Sequence, residues 1–301
     1  MTTWLFYALA DVLLFGIAAV LEKTGAKKNN PSVSAALWGT VIAVFSFIIL
    51  RYTGSSQSLL AIAPRSVLFL VLAGLALGGS WLCFFRSLKT GEIIKIIPVC
   101  LMNGVIAMVA RMICFGTRYR AEQIVAMIVL FVGTLFVVLH SGGAGRGKSK
   151  GSGYIWLLFA SLSALLLATA TILCEYGVSD VNGYMQNTFM VVVALVMVWI
   201  VAMVSGGPKY LRSMSFLDGV WLCLGAAAIG LAWFALYFAK AYGPDAVVVH
   251  IDRLGFLAVL LFGCMILRER LSWRGVIGMV LLVVGVFLML LEAPFFSLIF
   301  K

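Results

Sequence analysis

The sequence contains few charged residues for its length. Only 11% of its 301 residues are Asp, Glu, Lys or Arg, against roughly 25% in soluble domains, whereas 63% are hydrophobic. It has only two histidines, and its six cysteines form no Cys-x-x-Cys motif and have no histidine at a metal-ligand spacing. These shortages exclude an ordinary soluble domain, and we expect no metal site and no cofactor.

The apolar residues form ten runs, each of about twenty residues. A helix of this length crosses the ~30 Å hydrocarbon core of a bilayer, and the runs lack the alternating polarity of a barrel strand. The first run has no basic n-region and no Ala-x-Ala site, so we interpret it as a retained helix. We predict transmembrane helices at 3–21, 33–51, 67–88, 93–115, 121–140, 154–174, 184–204, 217–240, 245–267 and 273–292.

The second half of the sequence repeats the first. A Gly/Ser-rich basic linker at 141–153 separates a first repeat (1–140) from a second (154–292), and a tail (293–301) follows. Because five spans are an odd number, the second repeat must enter the membrane in the opposite orientation. We therefore predict an all-α membrane protein of two inverted five-helix repeats. A shift of 152 residues aligns Leu72, Gly78, Trp81, Gly91, Arg118, Met127, Leu130, Val132, Gly133 and Leu139 with Leu224, Gly230, Trp233, Gly243, Arg270, Met279, Leu282, Val284, Gly285 and Leu291.

Three stretches resemble the EamA-like branch of the drug/metabolite transporter superfamily. They are GGSWLCFFRSLKTG (78–91), GLAWFALYFAKAYGPDAVVVHIDRL (230–254) and LRERLSWRGVIGMVLLVVGVFLMLL (267–291). The resemblance implies a central cavity lined mainly by spans 1, 3, 4, 6, 8 and 9. It also implies a multi-pass protein of a bacterial cytoplasmic membrane, a monomer or homodimer, that exports or exchanges small metabolites.

The net charge of +11 comes from Lys and Arg at the ends of the runs, which is typical of membrane proteins and does not indicate a nucleic-acid partner. Loops that follow odd-numbered spans carry most of these residues, and we call this side of the protein the basic side. The positive-inside rule would place both termini outside the cytoplasm, whereas the resemblance implies both inside. The two orientations stay open.

The stretch VVVHIDRLGFLAVLLF (247–262) places three polar residues in an apolar run. A charge at the centre of a lipid-facing helix costs about 2.5 to 3.5 kcal/mol, so Asp252 and Arg253 should face protein or water. His250 and Arg253 share one helix face, whereas Asp252 needs a partner on another helix. Three interpretations remain for Asp252, namely an interhelical salt bridge, a substrate contact and proton coupling.

Asp11 is the other deep acidic residue, within ALADVLLFGIAAVLEK. It is either a second coupling residue or a hydrogen-bonded group that holds the first helix to its neighbours. Arg111 is a candidate counter-ion or an interface anchor, and Asn103 a candidate hydrogen-bonding group for substrate or for a neighbouring helix. Glu22 and Glu175 stand at helix ends, where we expect them to be solvated.

Two aromatic pairs occur at equivalent positions of the repeat, Trp81 with Phe85 and Trp233 with Tyr237. An i, i+4 spacing places each pair on one face, so the repeat predicts two stripes facing each other. Such an arrangement suits a planar or cationic solute. The alternative is helix packing or an interfacial aromatic belt.

These observations favour a secondary transporter that exports or exchanges a small metabolite or drug-like amphiphile by alternating access, with proton coupling as a hypothesis. A flippase for a lipid-linked sugar or polyprenyl phosphate is one alternative, with Arg86 or Lys89 at the headgroup level. An accessory membrane protein is another. We do not expect an enzyme, since His140 and His250 are the only histidines and no His-Glu-x-x-His motif is present.

Overall fold

The computed structural model describes residues 3–55, 62–140, 154–269 and 272–290, and these form helices joined by short turns. Nine of their helical stretches are long and apolar enough to cross a bilayer, and α12 is a shorter tenth. The predicted linker 141–153 and tail 293–301 lie outside the described residues. The helices are α1 (Thr3–Ala26), α2 (Pro31–Tyr52), α3 (Pro64–Thr90), α4 (Ile93–Phe115), α5 (Ala121–His140), α6 (Ile155–Gly177), α7 (Gly183–Val204), α8 (Gly207–Ser213), α9 (Phe216–Tyr242), α10 (Asp245–Arg253), α11 (Gly255–Met265) and α12 (Trp273–Leu290).

Local signals at the helix ends recur in the two repeats. Asn30 caps α2 by accepting a hydrogen bond from the backbone N–H of Ser32 at 2.9 Å. Asn182, which is 152 residues later, accepts the same bond from Tyr184 and caps α7. An amide side chain in this position satisfies a backbone donor that the helix leaves unpaired. The two second spans therefore begin in the same way.

Packing between the repeats follows a twofold pattern. Helix α1 packs on α9 while α6 packs on α3, and α5 packs on its own counterpart α12. At this last interface a Cβ on Gly133 would lie 3.0 Å from the Leu282 nitrogen, and one on Gly285 would lie 2.7 Å from Leu130 Cγ. Each repeat offers the same surfaces to the other. Since each has five spans, this confirms the predicted fold class of two inverted five-helix repeats.

The ninth span crosses as one apolar stretch over Val247–Met265, within the predicted 245–267, but its helix tightens by one turn at Leu254. Helix α10 ends at Arg253 and α11 begins at Gly255. Between them the Leu254 N–H donates to the Ile251 carbonyl at 2.8 Å, which closes a tighter turn than the α-helical bond. Irregular backbone at membrane depth is tolerated where protein or a cavity surrounds it. This tighter turn directly follows the predicted polar residues.

Candidate substrate and coupling site

A contact between two carboxyl groups joins the repeats. Asp11 on α1 is only 2% exposed and interacts electrostatically with Asp252 on the adjoining helix α10, and its Oδ2 is buried without a hydrogen-bond partner among the described residues. Both residues lie about 10 to 12 Å from the ends of their helices on the side opposite the basic side, at about 1.5 Å per residue. A hydrogen bond between two carboxyl groups requires a proton on one of them. The pair therefore has the parts of a proton-binding site.

Positive charges surround the carboxyl pair. Lys240, near the end of α9, interacts electrostatically with both Asp11 and Asp252. Arg253 interacts with Asp252 as well. The site thus combines two acidic and two basic groups, drawn from three helices, within the apolar interior of the bundle.

Arg111 is not the counter-ion of Asp11. Its Nε donates to Glu175 Oε2 at 2.7 Å, and its Nη2 donates to the other oxygen of the same carboxylate. This two-pronged pair joins the end of α4 to the end of α6. Glu175 is about one-third exposed, but it is paired rather than simply solvated as the sequence suggested. Arg111 still lies close enough to act electrostatically on Arg253.

A small cavity lies beside this charged group, between α4, α5, α10, α11 and α12. Its volume is about 80 Å³, and Arg253 and Asn103 are the polar side chains among its described lining residues. The remaining lining residues are Leu101, Met102, Gly104, Val105, Leu130, Phe256, Leu282 and Val286. The predicted site residues Asn103 and Arg253 therefore share one cavity.

The two predicted aromatic stripes have different surroundings. Trp81 and Phe85 are buried against Trp38, with ring centroids 5.1 and 5.7 Å apart. Tyr237 instead contacts Tyr52 and Tyr184, at 5.9 and 5.7 Å. Trp233, the partner of Tyr237 in its stripe, is half-buried against the main core. Ring contacts within the described part of the chain do not join one stripe to the other, and the predicted role of these four residues in substrate binding stays a prediction.

His250 lies on α10, two residues before Asp252, but its side chain is outside the part of the chain that the structure describes. Its predicted role in substrate binding stays a prediction.

The sequence placed Glu22 at a wet helix end, and this was wrong. Glu22 is only 3% exposed and accepts a hydrogen bond of 2.6 Å from the Trp38 indole N–H. Lys23 is also buried and donates to the carbonyl groups of Leu88 and Gly91 at the end of α3. Because α1 continues to Ala26 rather than ending at 21, both residues lie inside the bundle. In the sequence, Glu22 and Lys23 stand next to each other at the end of the apolar run, and this position does not indicate that they are buried.

Glu269 was also missed. It lies between α11 and α12, and its two carboxylate oxygens accept hydrogen bonds of 3.0 Å from the backbone N–H groups of Ile93 and Ile94. The free N–H groups at the start of α4 are thereby satisfied. Burial nevertheless raises the pKa of Glu269, which exceeds the opposing effect of these hydrogen bonds. This contact ties the α11–α12 turn to α4 on the basic side, away from the carboxyl pair.

The chain belongs to the EamA-like transporter family, since the model of that family matches residues 2–139 and again residues 154–291. It is thus an integral multi-pass membrane transporter. A curated relative from Sinorhizobium sp, described as an uncharacterized transporter in the cobO 3' region, is 34% identical over 122 residues, which are 40% of this chain and 83% of the relative. A solved structure described only as a crystal structure of a protein is similar over 98% of both chains, with a TM-score of 0.64 and 15% identity. That likeness concerns the fold alone.

Proposed function

We propose that this protein is a secondary transporter that works by alternating access and couples the movement of a small solute to protons at Asp11 and Asp252. The observation that carries the proposal is the burial of Asp11 with an unpaired carboxyl oxygen at the packing of α1 on α10, the helix that holds Asp252, beside a cavity that Arg253 and Asn103 line. Asp11 belongs to the first repeat and Asp252 to the second. A proton bound between them therefore links the two bodies that must move in an inverted-repeat carrier.

Loss of that proton has a large physical effect. Two carboxylates about 4 Å apart repel each other by about 4 kcal/mol at an effective dielectric constant near 20. A change of about 1.4 kcal/mol shifts an equilibrium tenfold, so the part of this repulsion that Lys240 and Arg253 do not offset favours separation of α1 from α10. We place the hinge of this movement at the tighter turn around Leu254, which directly follows Asp252 and Arg253. Proton release and helix movement are coupled in this way.

The test uses purified protein in liposomes that contain a trapped pH-sensitive dye. A panel of amino acids and short carboxylates is added outside, and proton movement that depends on a solute is recorded. We expect Asp11→Asn and Asp252→Asn to abolish this proton movement. Glu122→Gln is the control, because Glu122 is exposed at the start of α5. Solute-driven proton flux that persists in both Asn variants would remove the carboxyl pair as coupling site.

The flippase alternative gains less support from the geometry. A larger groove of about 710 Å³ runs between α2 and the start of α9, but its described lining residues are uncharged, with Ser215 as the most polar. It would suit acyl chains and offers no partner for a phosphate. Arg86 instead lies over the Phe159 ring, 4.7 Å from its centroid. Movement of a fluorescent phospholipid without solute flux would favour the flippase, and neither activity would favour an accessory role.

A further inference from the structure

An apolar groove runs along the outer surface of the bundle between α2 and α9. Leu37 and Val41 of α2 form one wall, and α9 as far as Ala227 forms the other. Its volume of about 710 Å³ lies within the range of small-molecule sites, roughly 300 to 1,000 Å³. We propose that this groove binds one acyl chain of an anionic phospholipid, whose phosphate lies against cations at the mouth of the groove. The proposal depends neither on the carboxyl pair nor on the transported solute.

The groove is as deep as one leaflet of a bilayer. Helix α2 begins at Pro31, ten residues before Val41, and α9 begins at Phe216, eleven residues before Ala227. At about 1.5 Å per residue, both walls extend about 15 to 16 Å from the basic side of the protein. Half of the ~30 Å hydrocarbon core has the same thickness. A groove from the bilayer surface to its midplane fits a lipid chain of the leaflet on the basic side.

The walls of the groove suit a hydrocarbon chain and its mouth is more polar. Leu211, Phe216 and Leu224 line it and are 40%, 83% and 47% exposed. Ser215 is the most polar of the described lining residues and lies at the mouth, directly before α9. Its hydroxyl does not cap α9, so it can donate to an ester or phosphate oxygen of a lipid.

Cations surround the mouth of the groove. Helix α8, whose Leu211 lines the groove, also carries Lys209 and Arg212, which are exposed and share one face of the helix. Lys27 and Lys28 are exposed in the turn that precedes α2. Within the described part of the chain, none of these four cations forms an ion pair. Basic clusters at the membrane surface attract anionic headgroups.

Acidic groups do not cancel this positive charge. Among the described residues, the acid nearest to α8 in sequence is Asp218, which is half-buried in the first turn of α9. The other described acids of the basic side are engaged elsewhere, and these are Glu22, Glu92 and Glu269. Segments 141–153 and 270–271 of the basic side lie outside the described residues and contain no Asp or Glu. The mouth of the groove therefore matches an anionic headgroup better than a neutral one.

The same cations also help to orient the protein in the membrane. That role requires no particular lipid and no groove. A bound anionic lipid requires the cations and the groove together, and this difference makes the proposal testable.

The test uses the full-length protein in detergent, with dioleoylphosphatidylglycerol and dioleoylphosphatidylcholine as probes that share acyl chains and differ in charge. We expect the anionic lipid to raise the apparent melting temperature and to stay bound in native mass spectrometry, and the neutral lipid to do neither. Lys209→Gln/Arg212→Gln should weaken the affinity for the anionic lipid about 25-fold, or about fivefold for each cation. Arg118→Gln/Arg120→Gln is the matched control, because it removes two exposed arginines from the α4–α5 turn on the opposite side.

A second pair of variants tests the groove itself. Ala227→Phe fills its deep end and should abolish stabilisation by the anionic lipid. Ala241→Phe makes the same change at an exposed position near the other end of α9 and should preserve that stabilisation. In the unaltered protein, the anionic lipid should slow the reaction of a maleimide with Cys223, which lines the groove, relative to the exposed Cys114 on α4.

Four results would each overturn the proposal. The first is equal stabilisation by the two lipids, and the second is an unchanged affinity for the anionic lipid in Lys209→Gln/Arg212→Gln. The third is a Cys223 reactivity that the anionic lipid does not alter. The fourth is a crosslink between the Cys223 residues of two copies, which would identify the groove as a contact between protomers.

Discussion

Cys100 and Ser163 lie on the packed helices α4 and α6, at the positions that the internal repeat equates with Asp252 and Asp11 on α10 and α1. A shift of 152 residues relates Asp11 to Ser163 and Cys100 to Asp252. One fold therefore presents the same contact twice, once with two carboxyl groups and once with two small neutral groups. The two halves are therefore chemically unequal at their most similar point.

This relationship supplies a conservative way to remove the carboxyl pair. In the double variant Asp11→Ser/Asp252→Cys, we expect normal folding, because the chain already accommodates a Ser–Cys contact in the equivalent packing. Solute transport should lose its pH dependence. Size-exclusion chromatography and apparent melting temperature check the fold, and the liposome assay checks coupling. Transport with unaltered pH dependence in a well-folded double variant would contradict the role of the pair.

The hydrogen bond from Trp38 to Glu22 should contribute to stability. Trp38→Phe keeps most of the ring packing but leaves the buried Glu22 carboxyl without its donor at 2.6 Å. We expect a loss of about 1 to 3 kcal/mol, seen as a lower apparent melting temperature in detergent. Trp199→Phe is the matched control, since the Trp199 indole donates to Thr40 at 3.1 Å in an exposed position. Equal losses in the two variants would show that burial of the acceptor does not matter.

Helices α2 and α9 approach each other closely at Gly230, and we expect that no side chain can be accommodated at this position. A Cβ at this position would lie 2.1 Å from Phe45 Cγ, so Gly230→Ala must displace the ring or separate α2 from α9. Overpacking of this kind costs about 1 to 3 kcal/mol. Gly183→Ala, at the start of α7, meets no atom within 4 Å and should leave the apparent melting temperature nearly unchanged. A stable Gly230→Ala protein would mean that the interface is loosely packed.

The contact of Glu269 with the start of α4 should show a defined pH dependence. Because burial raises its pKa, the folded protein binds a proton at Glu269 more readily than the unfolded chain. The contribution of this group to stability is therefore greatest at low pH and decreases as the pH rises from the ordinary value of 4.5 through the raised pKa.

Glu269→Gln should flatten this part of the stability profile, measured as apparent melting temperature against pH. Glu269→Ala should lower stability at all pH values by about 1 to 2 kcal/mol, since it removes the acceptors for two backbone N–H groups. Glu122→Gln controls for a general effect of charge. A profile that keeps its slope in Glu269→Gln would assign the pH dependence to another group.

The sequence by itself determined that the protein lies in a lipid bilayer, how many times it crosses that bilayer, and that its two halves are inverted copies of each other. Apolar runs of membrane-spanning length can only be helices in lipid, and an odd number of spans per repeat can only give inverted copies. It also indicated that Asp11, Asp252 and Arg253 avoid lipid, because an exposed charge at that depth is costly. These conclusions depend on local composition and spacing, which are visible along the chain.

The tertiary structure alone decided which groups meet. Asp11 and Asp252 are 241 positions apart in the sequence, and only the packing of α1 on α10 brings their carboxyl groups together. The burial of Glu22 and the capping of α4 by Glu269 likewise depend on which helix lies alongside. Side-chain shape and interhelical hydrogen bonds determine which helices pack together in a bundle. The hydropathy of one helix does not predict which helices lie next to it.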